Sequence, residues 1–447
     1  MSTKNTNKMA TWPVGKLLIS MGLPAVFSML IQALYNVVDS IYVSTYSKDA
    51  MFAIGLINPL YMVGLSIALG GAAGICTSVS RKLGEGNDEE ARVIASNGFT
   101  LTFIHMLVVI AMGLFISKPF LSLFTNRADI IDLGYSYGAI VMGVCVGQQF
   151  ALYYERLFQS QGNMIIPMIA QLIGALTNII LDPIMIFGRF GFPELGIAGA
   201  AIATVIGQIL SLIFLVAVTI IKKPHVAPEF KYLKLQGYTV STIYQVGLPT
   251  MVMNMIGSVT TTSLNSILVR FSEDAVTSLS IYFKLQSFIF MPVFGFNQGA
   301  LPILSFNYGA RDKVRYLGTV KLFLLIAEGF MLAGTLLFVF RPDIPLSFFD
   351  TDESLLITAE MVLKTVALSF LFAGPNIVIT TILQSFAKGT LSMVQSILRQ
   401  LGLLIPIAWV LSNISLNAVF YAYPISEFIM LLIFLPIAVK TYRTNLG

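Results

Sequence analysis

From residue 16 onward the chain is a succession of twelve mainly apolar stretches, each able to supply the about 20 residues that cross a hydrocarbon core as a helix. They run over about 16–44, 51–80, 93–116, 131–153, 163–188, 195–221, 239–268, 276–303, 317–340, 355–379, 390–411 and 415–439. Inside lipid every backbone amide must find its partner within the chain, so runs of this length become helices. Composition agrees: 11% of residues are charged, where a soluble domain carries about 25%. With 56% hydrophobic residues and a mean hydropathy of +0.83, a water-facing surface could not be covered, and the apolar surface must face lipid. The expected fold is all-α and integral to the membrane, with twelve transmembrane helices.

A formal charge of +5 could suggest nucleic acid, but the basic residues sit in short gaps between apolar runs rather than on one aromatic-rich face. Topology accounts for them. Residues such as Arg81, Lys82, Arg92, Arg156, Lys222, Lys223, Arg311, Lys313, Lys440 and Arg443 collect on one side, which the positive-inside rule makes cytoplasmic. Both termini then lie on that side, as an even number of spans requires. The first apolar run follows lysines, as a signal peptide would, but it is too long and contains Asp39, so it is read as a retained helix. Cys76 and Cys145 both lie inside apolar runs and imply no disulfide framework.

The two halves repeat. Gly22-Leu23-Pro24 recurs as Gly247-Leu248-Pro249, an offset of 225. In the same register Ser47, Asp49 and Ala50 fall on Ser272, Asp274 and Ala275, and Gly70 and Gly74 on Gly295 and Gly299. Ser80 falls on Ser305, Gly84 on Gly309, and Gln159-Ser160 on Gln384-Ser385. Each repeat carries a G-x-x-x-G in its second helix, which permits close helix contact. The expected organisation is an N-terminal six-helix bundle over 1–221, a basic linker over 222–238 and a C-terminal six-helix bundle over 239–447. Two parallel repeats of this kind suit alternating access around a central cleft.

Charge deep in a bilayer is costly and needs a reason. Asp39 follows Gln32, Tyr35 and Asn36 on one face of its helix, and Asp182 has Asn178 one turn earlier. The sixth run offers Thr204, Gln208 and Ser211 at similar spacing. If these stripes face one another they enclose an oxygen-rich cavity able to hold a proton or a sodium ion. The bland readings are a hydrated Asp39 near the mouth of its helix and an Asp182 that bonds a neighbouring helix. The second half lacks these acids. Asn254, Ser258, Thr261 and Asn265 make an uncharged stripe there, and the deep charges are Lys284, Glu328, Arg399 and Glu427. Two bases and two acids suggest ion pairs inside the bundle, or a role toward charged substrate. The aromatic eighth run and the 20 methionines would suit bulky apolar cations, though lipid-facing helices look similar. Interior prolines, among them Pro24, Pro59, Pro249, Pro292 and Pro375, can kink their helices. Catalytic and nucleotide-binding motifs are absent from the sequence, so an enzyme is not expected.

These features together resemble the multidrug and toxic compound extrusion (MATE) family. The resemblance rests on Gly22-Leu23-Pro24, Asn36-x-x-Asp39, Leu157-Phe-Gln-Ser-Gln-Gly162, Asn178-x-x-x-Asp182-Pro183 and Gly196-Ile-Ala-Gly-Ala-Ala-Ile-Ala-Thr204, and it covers nearly the whole chain. It implies a V-shaped pair of pseudo-symmetric six-helix bundles in a bacterial cytoplasmic (inner) membrane, exporting cationic or amphipathic compounds in exchange for protons or sodium. Carried over by position, Asp39, Asn178, Asp182 and Thr204 match the family's cation-coupling site, with Asp39, Asn178 and Asp182 the possible sodium ligands. Gln32, Tyr35, Asn36, Asn254, Ser258, Thr261, Asn265, Lys284, Glu328 and Glu427 are candidates for the cavity wall. The seventh run carries no acid and the tenth only Glu360, a departure from the NorM-like branch that places the chain nearer the DinF-like or MepA-like branch. No cofactor is implied beyond the coupling ion; the expected partners are a small organic cation or amphipath and the bilayer, with the monomer as functional unit. A flippase of lipid-linked saccharides from the wider superfamily is the competing reading.

Overall fold

The structure is a computed structural model that describes residues 8–349 and 353–447, the Ser258 side chain excepted. All regular elements among these residues are helices. The long ones are α1 Val14–Tyr46, α2 Lys48–Gly84, α3 Asp88–Ser122, α4 Ala128–Gly143, α5 Val146–Ser160, α6 Ile165–Phe187, α7 Ile197–Lys222, α8 Gly237–Leu268, α9 Glu273–Gly309, α10 Lys313–Phe340, α11 Glu353–Ala367, α12 Phe370–Ser385, α13 Gly389–Leu411 and α14 Leu416–Asn445. Among the described residues, nine helices are long and apolar enough to cross a membrane, and eleven spans result if the bent pairs α4–α5 and α11–α12 each count as one. The one expected segment left over, the seventh (239–268), corresponds to α8, a 32-residue helix whose length alone would let it cross.

The repeat is written into the backbone. Ser47 caps α2 by accepting from the Ala50 amide at 3.3 Å, and Ser272 caps α9 by accepting from Ala275 at 3.1 Å. Both capped helices are 37 residues long. Asn87 accepts from Glu90 N at 3.1 Å at the start of α3, and Asp312 accepts from Arg315 N at 2.9 Å at the start of α10. Each cap satisfies an amide that the first helical turn leaves without a partner. The left-handed positions keep the same register: Gly86 (φ 73°) and Gly162 (φ 82°) correspond to Arg311 (φ 57°) and Ala387 (φ 57°). The second half therefore holds side chains in a conformation for which the first uses glycine.

The fourth span of each repeat breaks at the same place, by 44° between α4 and α5 and by 49° between α11 and α12. Neither break contains a proline, whereas Pro24, Pro59, Pro249 and Pro292 lie within continuous helices. These two breaks therefore arise away from proline, and a proline inside a membrane helix is tolerated because neighbouring helices can re-satisfy the freed carbonyl.

The described chain forms two compact units. The first takes the chain up to Thr11 and Phe27–Met251; the second takes Trp12–Val26 and Val252–Gly447. Glycine contacts account for these borders. In the first unit, Gly70 and Gly74 of α2 receive the start of α8: a Cβ on Gly70 would stand 2.6 Å from the Gly247 carbonyl oxygen, and one on Gly74 would collide with that of Ile243. In the second unit, Gly295 and Gly299 of α9 receive the start of α1, with hypothetical Cβ atoms 2.7 Å from Val26 N and 2.9 Å from Gly22 N. The G-x-x-x-G pairs seen in the sequence are thus seats for the first halves of α8 and α1. His105 of α3 and Tyr244 of α8 hydrogen-bond at 2.6 Å beside the first seat. Cys76 and Cys145 are free and buried.

Residues 223–236 are strapped to the first unit. Asn97, fully buried, donates to the carbonyls of Tyr232 and Lys234 at 2.8 and 3.2 Å and accepts from Gln236 N at 2.8 Å. Thr100 donates to the Leu233 carbonyl and Ser96 accepts from Glu229 N, each at 2.8 Å.

Candidate functional site

The first unit contains the acids that the sequence singles out. Small residues bring α6 and α7 together: the Gly174 and Gly207 backbones touch, a Cβ on Gly207 falling 2.6 Å from the Gly174 carbonyl oxygen. That approach sets Asn178 opposite Thr204. The Asn178 amide nitrogen, Nδ2, donates to Thr204 Oγ1 and to Asp182 Oδ1, each at 3.2 Å. All three residues are buried, Asp182 completely. Asp39 arrives from α1, and its carboxyl is in direct interaction with that of Asp182. The four cation-coupling candidates therefore form one contiguous group.

What this group lacks is donors. Asp39 Oδ1, Asp182 Oδ2 and Asn178 Oδ1 are buried and have no hydrogen-bond partner, as does Gln208 Oε1 one turn beyond Thr204. A bare buried acceptor is costly, and two adjacent carboxylates repel. A proton shared between the acids, or a cation bound by their oxygens, removes both penalties. Among the described residues no group of three or more His, Cys, Asp or Glu could hold a metal ion; the donor set of two acids and amide oxygens suits a hard monovalent ion or a proton instead.

Tyrosines surround the acids, and sequence reading found only one of them. Tyr35 of α1, Tyr61 of α2 and Tyr137 of α4 are each within electrostatic reach of Asp39. Tyr61 is held by the Gln148 side chain of α5, whose nitrogen donates to the phenolic oxygen at 2.5 Å. Tyr61 and Tyr137 lie on helices whose own acids, Asp49, Asp129 and Asp132, sit near the helix starts, so nothing in their sequence ties them to Asp39. Gln32 and Asn36 are exposed on α1, and Tyr35 is half-buried.

The remaining candidates lie in the second unit. Asn254 is exposed, Thr261 and Asn265 are half-buried, and the Ser258 side chain lies outside the described residues. Of the four deep charges, two meet: Arg399 Nη1 lies 3.1 Å from Glu427 Oε1. Asn376 of α12, which sequence reading missed, donates to Glu427 Oε2 at 2.7 Å. Lys284 is exposed and has no ion-pair partner among the described residues, and Glu328 Oε1 is buried and bare. Gly374 makes room for Glu328, since a Cβ there would strike that oxygen.

A multi-pass helical bundle with bare acids buried among its spans suits a membrane transporter. The MatE family profile matches residues 24–184 and 249–410, and the chain belongs to that family of transporters. Among curated proteins it is 26% identical over 439 residues to an FAD transporter of Shewanella oneidensis, covering 96% of this chain and 95% of that one. It is 25% identical over 423 residues to the multidrug export protein MepA of Staphylococcus aureus, covering 93% and 91%. Among solved structures, a crystal structure of a MATE protein in complex with MaL6 superposes with a TM-score of 0.92 at 20% identity over 99% of both chains.

Proposed function

We propose that this chain is a secondary antiporter that exports cationic or amphipathic organic compounds by alternating access, driven by an inward cation gradient. Asp39, Asn178, Asp182 and Thr204 form the coupling site. The observation that carries this reading is the pair of adjacent carboxyls with bare oxygens at Asp39 and Asp182: the group is complete only with a proton or a sodium ion added. Of the two, the proton is the simpler fit, because one proton shared between the interacting carboxyls removes their repulsion. The protein works as a monomer of twelve spans, in two repeats over 1–221 and 239–447, within a bacterial cytoplasmic membrane and with both termini cytoplasmic. Gln32, Tyr35 and Asn36 extend the site along α1.

A second reading concerns the cargo alone. MepA is named for multidrug export, whereas another relative is named an FAD transporter. A flavin dinucleotide or another amphipathic metabolite, lipid-linked cargo included, is therefore the alternative to a drug.

Proteoliposomes decide among these. An imposed pH gradient should drive uptake of ethidium by the wild type and none by Asp39→Asn. Drive by sodium alone would keep the site and change the ion. If neither gradient moves an organic cation while a flavin nucleotide is carried, the cargo assignment changes and the coupling site stands.

A further inference from the structure

The second unit holds a buried charged pair that the coupling site does not use. Arg399 stands near the middle of α13 and Glu427 in the first half of α14, close to its middle. Their side chains are 24% and 14% exposed. Glu427 is held on its other oxygen by Asn376, whose Nδ2 also donates to the Glu427 carbonyl at 2.9 Å. Arg399 is held only by Glu427: its Nε and Nη2 make no hydrogen bond among the described residues. Asn376 is 1% exposed, and its Oδ1 is buried and bare. A guanidinium with free donors at mid-span belongs against water or cargo rather than lipid.

The repeat shows that this pair is an addition to the common plan. At the offset of 225, Arg399 corresponds to Gly174, Glu427 to Ile202 and Asn376 to Ala151. In the first unit that glycine lets α6 and α7 touch backbone to backbone. In the second unit the matching stretch of α13, Leu398–Leu404, is a π-helical turn that ends just before Pro406. Such turns recur at functional sites, and a proline, lacking an amide hydrogen, breaks the regular helical ladder upstream of itself. This π-helical stretch packs against α14, where Arg399 meets Glu427.

We propose that Arg399 is a recognition site for a carboxylate or phosphate group on the cargo, and that this group replaces Glu427 on the guanidinium while Glu427 takes up one proton. The charge balances. One anionic group enters the pair, one carboxylate is neutralised by a proton from solvent, and the protonated Glu427 keeps its hydrogen bond from Asn376. Asn376 Oδ1, buried and bare on the same amide, is an acceptor available to the new carboxylic acid. The titratable or charged groups around Glu427 are Arg399 from α13, Tyr282 from α9 and Tyr423 one turn earlier on α14. From α12 comes Asn376, and Glu328 of α10 reaches the same helix at Gly374. Among the described residues, Arg399 is the one permanent positive charge paired with it. The inference rests on the transporter reading above but not on the identity of the coupling ion.

The probe is a matched pair of dyes, rhodamine B with a free carboxylate and its ethyl ester without one, their binding to the purified full-length protein followed by fluorescence polarisation. The wild type should prefer the acid by about tenfold, one charge-assisted contact's worth. That preference should grow as pH falls, by up to about tenfold per unit for one linked proton; ester binding should not change. Glu427→Gln should bind the acid more tightly and lose the pH dependence. The double variant Arg399→Gln/Glu427→Gln, which leaves no unpaired charge to disrupt folding, should bind both dyes alike. Retention of the preference in the double variant, or a preference in the wild type that ignores pH, overturns the proposal. If the wild type binds the ester and shows no preference, the inference fails while the transporter reading stands. If it binds neither dye, both the inference and the organic-cargo reading fall.

Discussion

Asn178 and Thr204 lie on neighbouring helices 26 residues apart in sequence and are joined by a 3.2 Å hydrogen bond, which turns the Asn178 amide toward Asp182 as well. One nitrogen therefore orients an acid and ties α6 to α7. Its loss should be felt in transport before it is felt in folding.

Asn178→Ala removes both hydrogen bonds and should lower the rate of cation-driven uptake by about ten- to a hundredfold, as for two lost buried contacts. Thr204→Val removes only one acceptor and should cost less than about tenfold. Asp39→Asn and Asp182→Asn should abolish gradient-driven uptake while leaving the protein monodisperse on size exclusion. Initial uptake rates in proteoliposomes rank the four; a Thr204→Val rate below that of Asn178→Ala would contradict the bridging role.

Gly70 cannot accept a side chain without moving backbone, since its Cβ would stand 2.6 Å from the Gly247 carbonyl oxygen and 2.8 Å from Met251 N. Gly70→Ala should lower thermal stability in detergent by roughly 1–3 kcal/mol, the range for overpacking a close contact. Gly55, on the same helix, has nothing within 4 Å of its would-be Cβ. Gly55→Ala should be neutral or stabilise by at most about 1 kcal/mol. Thermal unfolding of the two variants side by side tests whether the seat for α8, rather than helix propensity, fixes the first residue as glycine.

Ala387 sits at φ 57°, where its repeat partner is Gly162. Ala387→Gly relieves about 1–2 kcal/mol of left-handed strain and adds about 0.5–1 kcal/mol of chain entropy to the unfolded state, so a small net gain in melting temperature is expected. The reverse change, Gly162→Ala, meets Met9 Cγ at 3.0 Å and Lys8 Cε at 3.2 Å as well as the strain, and should destabilise. Matching signs for the two changes would contradict the equivalence of these positions.

Asn97 holds three backbone groups of the segment 223–236. Asn97→Leu leaves those groups without partners, at about 1–3 kcal/mol for each that stays buried. The segment should then open locally, and limited trypsin digestion should cut after Lys231 and Lys234 faster than in the wild type. Unchanged digestion would mean that Ser96 and Thr100 suffice to hold the strap.

Much of the fold was legible because lipid simplifies the problem. Without water to satisfy backbone amides, apolar length alone names the helices, and a repeat offset of 225 carried over to caps and left-handed positions residue by residue. Asp39 and Asp182 stood out for the same reason: a carboxyl in an apolar run advertises itself. Tyr61 and Tyr137 did not, because a tyrosine in a membrane helix is unremarkable until a helix from elsewhere in the chain sets an acid beside it. The breaks after Gly143 and Ala367 carried no proline to announce them.

The sequence by itself determined which residues form helices, which acids lie deep and which positions repeat, since each of these follows from local composition and spacing. Tertiary structure alone decided that Asn178 reaches Thr204, that Arg399 pairs with Glu427 while Lys284 has no ion-pair partner among the described residues, and that the first halves of α1 and α8 seat on glycines of α9 and α2. These outcomes depend on how closely and at what rotation helices distant in sequence approach one another. Small residues permit such approaches at many positions along the chain, and only the packing of the whole bundle selects among them.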